Sequence, residues 1–295
     1  MKYCKTLASL CLLAAMAWTK PAAAAESFHT CTGTITALPA VITTAGTWCL
    51  ANDLATAITT GNAITVNTNN VTINCNDFRI GGLAAGLGTT AVGINADTRT
   101  NTTVRNCNIR GFFYGASLEG DGALAENNRF DSNTWVSLGI GGESSTARGN
   151  RILNTGGSTY VFNNKVKGVG IYSIGNVEIY DNVVNGVRAR TGTDGFAFGI
   201  NPVNNETGSV YRNQVKKVIA DGIGIADGIS FFGTTGRVTV YQNNIIGAGA
   251  GVTGSFGGIY CPEVNKVVLT DNVVNGFTFL HANCAYPEEN THHSP

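Results

Sequence analysis

One pattern recurs nine times along the chain: an apolar residue, two variable positions, an Asn, one variable position and a second apolar residue. The Asn slot holds Asn76, Asn128, Asn150, Asn164, Asn182, Asn213, Asn243 and Asn272, and once Cys107. Upstream stand Ile73, Val104, Ala125, Ala147, Val161, Ile179, Val210, Val240 and Leu269; downstream stand Phe78, Ile109, Phe130, Ile152, Val166, Val184, Val215, Ile245 and Val274. Apolar flanks on both sides of every copy mark a solenoid, whose coils stack so that equivalent residues form columns. Successive copies are 31, 21, 22, 14, 18, 31, 30 and 29 residues apart, so loops of variable length are expected on a fixed cross-section. The 14-residue step is short for a complete coil, which makes either Asn150 or Asn164 a chance match.

The windows alternate apolar and polar residues, as in Val238, Thr239, Val240 and Tyr241, and are rich in β-branched side chains, so they predict short strands. A second signal lies upstream of the Asn: Gly93-Ile94-Asn95, Gly170-Ile171-Tyr172, Gly199-Ile200-Asn201, Gly228-Ile229-Ser230 and Gly258-Ile259-Tyr260, with Gly115-Ala116-Ser117 as a weaker copy. Each coil therefore holds at least two strands with a tight bend between them. Asn suits such a bend because it tolerates a left-handed backbone and its amide reaches the coils on either side, about 4.8 Å away. Leucine-rich repeats share the Asn spacing, but they want Leu at most inward sites and a helix per repeat; here only Leu269 fills the upstream slot. The left-handed β-helix needs a strict hexapeptide period, which is absent.

Residues 1–25 carry Lys2 and Lys5, an apolar run from Leu7 to Ala17 and small residues before Glu26, the pattern of a secretory signal peptide. The run is too short to span a membrane, and no later segment qualifies. Removing the leader takes away three Lys and leaves 16 basic against 19 acidic residues, a balance that argues against nucleic acid as a partner. Six cysteines remain, an even count that favours disulfides in an exported chain. Sequence proximity suggests Cys31 with Cys49 and Cys261 with Cys284, which leaves Cys75 with Cys107 between neighbouring coils. No Cys-x-x-Cys occurs and His is nearly absent from the body, so no metal site is expected.

Gly-Ile-x followed by Val-x-Val-x-x-Asn-x-Ile-x-Gly resembles the coil repeat of the pectin-lyase-like superfamily, over roughly residues 60–280. The resemblance implies an all-β, right-handed parallel β-helix over residues 61–284, followed by a polar tail over 285–295. Cys31 to Leu54, with Trp48, resembles the lead-in strands of bacterial members, so residues 26–60 are expected to cap the N-terminal end and cover its strand edges. It further implies an exported carbohydrate-active protein, secreted or periplasmic, because members often cleave, epimerise or bind acidic polysaccharides along one face. Fold alone does not confer that activity.

In the Gly-Ile-x strands the Ile faces inward, which puts Asn95, Ser117, Tyr172, Asn201, Ser230 and Tyr260 in one outer column. Amides, hydroxyls and rings along a flat sheet suit a sugar chain by hydrogen bonding and stacking; they also suit an ordinary wet surface. Glycoside hydrolysis needs two carboxylates, about 5–5.5 Å apart for retention or about 6.5–9.5 Å for inversion. Asp194, Asp221 and Asp227 are the candidates, placed in loops that lead into the Gly-Ile strands, where Asp-Gly is also plain turn chemistry. A lyase would pair a base with a cation, for which Arg188 and Arg190 stand near Asp194, and calcium would be its cofactor. No Ser, His and Asp grouping and no phosphate loop is legible. Two functions stand side by side: a polysaccharide-binding or polysaccharide-cleaving protein, and a structural or adhesive surface module without catalysis.

Overall fold

The structure is a computed structural model that describes residues 30–295 except 162, 164, 190–193, 206, 249–254, 262–265, 283, 285–290 and 294–295, with backbone alone for 255–256, 280–282 and 291–293. The expected leader, Asn164 and Arg190 lie outside the described residues. Three parallel sheets of ten strands each run the length of the chain, and each strand pairs with its counterpart in the next coil. The chain is a parallel β-helix. One turn of 3-10 helix, Leu83–Ala85, is the sole helical element among the described residues.

The sequence windows become columns. In the first sheet Ile73, Val104, Ala125, Ala147, Ile179, Val210, Val240 and Leu269 pair in register. In the second, Ile109, Phe130, Ile152, Val184, Val215, Ile245 and Val274 do the same. These side chains are buried and fill the interior with the inward residues of the third, Gly-Ile-bearing sheet. Two flanks differ from expectation. Ile80, not Phe78, pairs with Ile109, because the coil of Asn76 carries two extra residues at its corner. Val161 is exposed, and Asn150 bonds directly to Asn182, so the 14- and 18-residue steps merge into a single coil with a long loop.

Six asparagines form one continuous internal ladder. The side-chain oxygen of Asn150 accepts both the backbone N–H and the amide N–H of Asn128, at 3.1 and 3.0 Å, and the arrangement repeats through Asn182, Asn213, Asn243 and Asn272. The same amides also donate to carbonyls of the preceding coil, such as Ala125 and Ala147. At the N-terminal end Cys107 donates its backbone N–H to Asn128 and is disulfide-bonded to Cys75. The left-handed backbone belongs to the residue before each rung: Asn106, Asn127, Gly149, Asp181, Arg212, Gln242 and Asp271 have φ between 52° and 64°. Turning and bonding are thus divided between two adjacent residues, where the sequence suggested one.

Glycine in the Gly-Ile motif has a steric cause. A Cβ on Gly93, Gly115, Gly170, Gly199 or Gly228 would press on the carbonyl oxygen of the equivalent residue in the next coil. All three disulfides pair as sequence proximity suggests, with Cα separations of 5.8, 4.7 and 5.2 Å. Residues 33–55 supply the first strands of the three sheets, and Thr291–His293, within the expected tail, adds a last strand beside Val273–Asn275.

Candidate functional site

The outer face of the third sheet carries the expected column. Asn95, Ser117, Gly139, Tyr172 and Asn201 pair in register, and the Ile200–Ile229 pairing carries the same column on to Ser230 and Tyr260. Gly139 fills a coil whose motif, Leu138-Gly139, the sequence reading passed over. Only Asn95, Tyr172 and Tyr260 of the six expected residues are partly open; Ser117, Asn201 and Ser230 are buried and hydrogen-bonded to nearby groups. Asn95 and Ser117 donate to Asp97 at 2.8 and 2.6 Å, and Asn201 donates to the Ser230 carbonyl at 2.7 Å.

Beside it runs a second column: Tyr114, Val136, Val169, Phe198, Asp227, Gly257 and Phe279. Towards the N-terminal end it is covered by Trp135, which stacks on Phe113 at 5.1 Å while Tyr160 packs edge-on against both rings. Towards the C-terminal end it opens into a groove of about 700 Å³, walled by Phe196, Phe198, Phe232, Tyr260 and Phe279. Phe196 and Phe198 stack at 5.9 Å, and Phe232 bridges Phe198 and Tyr260 at 5.9 and 6.3 Å. Phe232 and Phe279 are 40% and 56% exposed, so both rings are left open by the described residues.

Asp227 is the one carboxylate among the described residues lining this groove. It is 5% exposed, and burial pushes its carboxyl up to about 6, against the opposing pull of the Ser230 hydroxyl at 2.8 Å and the Gly257 N–H. A side chain at position 257 would strike the carboxylate, which accounts for glycine there. Lys167, on the groove's far strand, has its ammonium pushed down by burial. Burial raises the Tyr172 hydroxyl, helped by nearby Glu119; burial and then Asp97 raise the Glu119 carboxyl.

Asp194 and Asp221 are brought together and Asp227 is not, and none of the three lies in a loop. Asp194 and Asp221 open two ten-residue strands, Asp194–Val203 and Asp221–Ser230, and pair with each other in register. Asp221 is bridged by Arg188 at 2.7 Å, and Asp194 accepts the Ile223 N–H at 2.9 Å. Asp227 pairs with Phe198, four positions along the strand from Asp194, or roughly 13 Å at the usual rise. Arg188 lines a separate hollow of about 320 Å³ with Asn154, Gly186 and Lys217. Lys167, Phe196, Phe198, Ile225, Phe232 and Phe279 are groove residues that the sequence reading missed. Strict alternation back from the inward Ile200 would turn Phe198 and Phe196 into the core; the strand changes phase at Gly199, so that Ala197 and Ile200 are both inward while Phe198 faces the groove. No group of His, Cys, Asp and Glu able to hold a metal occurs among the described residues, and no helix among them is long and apolar enough to cross a membrane.

By sequence the chain matches no protein-family model and no curated protein. By structure it is similar to the Dettilon tailspike protein (gp208), with a TM-score of 0.60 over 86% of this chain and 51% of that one. What the two share is the parallel β-helix. At 16% identity the likeness speaks to fold alone, and this chain spans about half the length of the tailspike. Membership of the pectin-lyase-like superfamily does not follow from it.

Proposed function

We propose that the protein binds a polysaccharide along the outer face of the third sheet, with the aromatic groove as its principal seat. The observation that carries this reading is an open aromatic groove, about 700 Å³, that crosses consecutive coils on a flat parallel face. Exposed apolar surface of this kind marks an interaction site, and aromatic rings set at strand spacing offer repeated stacking positions to a linear polymer. The three disulfides fit an oxidising compartment, in keeping with an exported protein.

We read the described groove as a binder's. Hydrolysis by the usual route needs two carboxylates within about 9.5 Å. Among the described residues the groove offers Asp227 alone, while Asp221 is held by Arg188 and Asp194 accepts the Ile223 N–H of the neighbouring strand. The test is retention of the exported chain, residues 26–295, on a panel of immobilised neutral and acidic polysaccharides, with reducing ends and unsaturated products followed in parallel. We expect retention without products, abolished in a Phe232→Ala, Tyr260→Ala double variant that melts normally. Failure to bind any glycan would defeat the reading, and product formation would defeat its non-catalytic part.

A further inference from the structure

We infer that the groove selects uncharged glycans bearing apolar substituents, acetyl or deoxy groups, and rejects polyuronates. The inference rests on the glycan-binding reading above and deepens it by naming the class of sugar.

The first argument is the chemistry of the walls. Phe196, Phe198, Phe232, Phe279, Ile225 and Ile259 present carbon alone. Of the polar groups in the lining, Asn201 already donates to the Ser230 carbonyl and Asp227 already accepts from Ser230 and Gly257; the others are the Tyr172 and Tyr260 hydroxyls and the Lys167 ammonium, few for a wall otherwise of carbon. A sugar dense in hydroxyls would lose hydration here and find few partners, which disfavours binding. A methyl group set against the rings gains instead, by about fourfold in affinity for each one buried. The gain multiplies along a polymer.

The second argument is charge. The described lining holds one lysine and one carboxylate. The groove reaches from the strand Lys167–Ile174 to the strand Phe279–Ala282, four inter-strand steps or about 19 Å. A polyuronate laid across that length would set a carboxylate against Lys167 at one end and the others against phenylalanine and Asp227. Buried charge without a partner is strongly disfavoured, and here one neighbour has the same sign. An uncharged polymer meets neither obstacle.

The probes are a partially acetylated glucomannan, the same polymer after saponification, and polygalacturonate, each titrated calorimetrically into the protein at physiological salt. We expect the acetylated polymer to bind at least tenfold more tightly than its saponified form, and polygalacturonate to give no heat of binding. In a Phe232→Ala, Phe279→Ala variant both polymers should bind more weakly, and the ratio between them should fall below about threefold. Both rings are exposed, so folding is checked by an unchanged melting temperature. Equal affinity for the two glucomannans, or tighter binding of polygalacturonate, overturns the selectivity and leaves glycan binding standing. No binding of the acetylated probe also overturns it, whereas silence across the whole glycan panel is what defeats the binding reading itself. Sedimentation showing that the groove is closed by a second copy of the chain would likewise overturn it.

Discussion

Asp227 interrupts an apolar column with an acid, and the fold bears an energetic penalty for it at neutral pH. Its carboxyl titrates near 6 when folded and near 4 when exposed, so the native state holds the proton more tightly than the unfolded one. The contribution of this one group is therefore most favourable below about pH 4 and falls as the pH rises through 6, by a total of about 3 kcal/mol. Asp227→Asn removes the charge and should raise the melting temperature at pH 7.5 by several degrees, with no gain at pH 4. A gain of the same size at both pH values would show that packing, not ionisation, is responsible. In the sequence Asp227 reads as a loop residue, since Asp-Gly is standard turn chemistry; a buried acid in mid-strand looks the same in one dimension. The ladder asparagines show the converse. Their buried hydrogen-bonding role was legible from spacing, yet the left-handed residue proved to be the one before each rung, since any of Asn, Gly, Asp, Arg and Gln fills that site and no single letter repeats.

The strands of the third sheet explain why glycine recurs before the inward Ile. At Gly199 the coils approach so closely that a Cβ would meet the Gly228 carbonyl and the Val215 side chain. Gly199→Ala should lower stability by about 2 kcal/mol or more, read as a shift in the urea midpoint, because a strand carbonyl cannot move without breaking its neighbour's register. Gly88→Ala, where the nearest atom is the Thr159 hydroxyl at 3.5 Å, should leave the midpoint within about 0.5 kcal/mol of wild type. Equal effects at the two sites would sink the close-approach account. Two of the three strands per coil were legible as windows of alternation. The long loop after Asn150 bears out the chance match that the 14-residue step points to: Val161 and Val166 reproduce the apolar flanks, while Ile152 pairs straight to Val184. The groove's phenylalanines escaped because they sit two and four positions before a motif residue or just after one, on columns that mix Val, Phe, Asp and Gly and so carry no repeating letter.

A stack of coils turns a one-residue feature into a surface of fixed pitch, which is why the whole molecule and not a single loop makes the proposed site. Parallel strands repeat at about 4.8 Å, so a ligand laid across them meets an equivalent position every coil. The open part of the face covers five consecutive strands, from Lys167–Ile174 to Phe279–Ala282, and ends at the N-terminal side where Trp135 and Tyr160 close over the same column. A groove of that length, about 19 Å, should bind oligosaccharides with an affinity that climbs as each added sugar reaches another ring. Once the groove is full the climb should stop, because further sugars extend over covered or polar surface and add only statistical gain. A calorimetric series on one polymer, from disaccharide upward, reads this directly as a rise followed by a plateau. An affinity already at its maximum with a disaccharide would mean that the site recognises a chain end in one pocket. The five-strand groove would then have no part in recognition, and the parallel β-helix would serve only to hold that pocket in place.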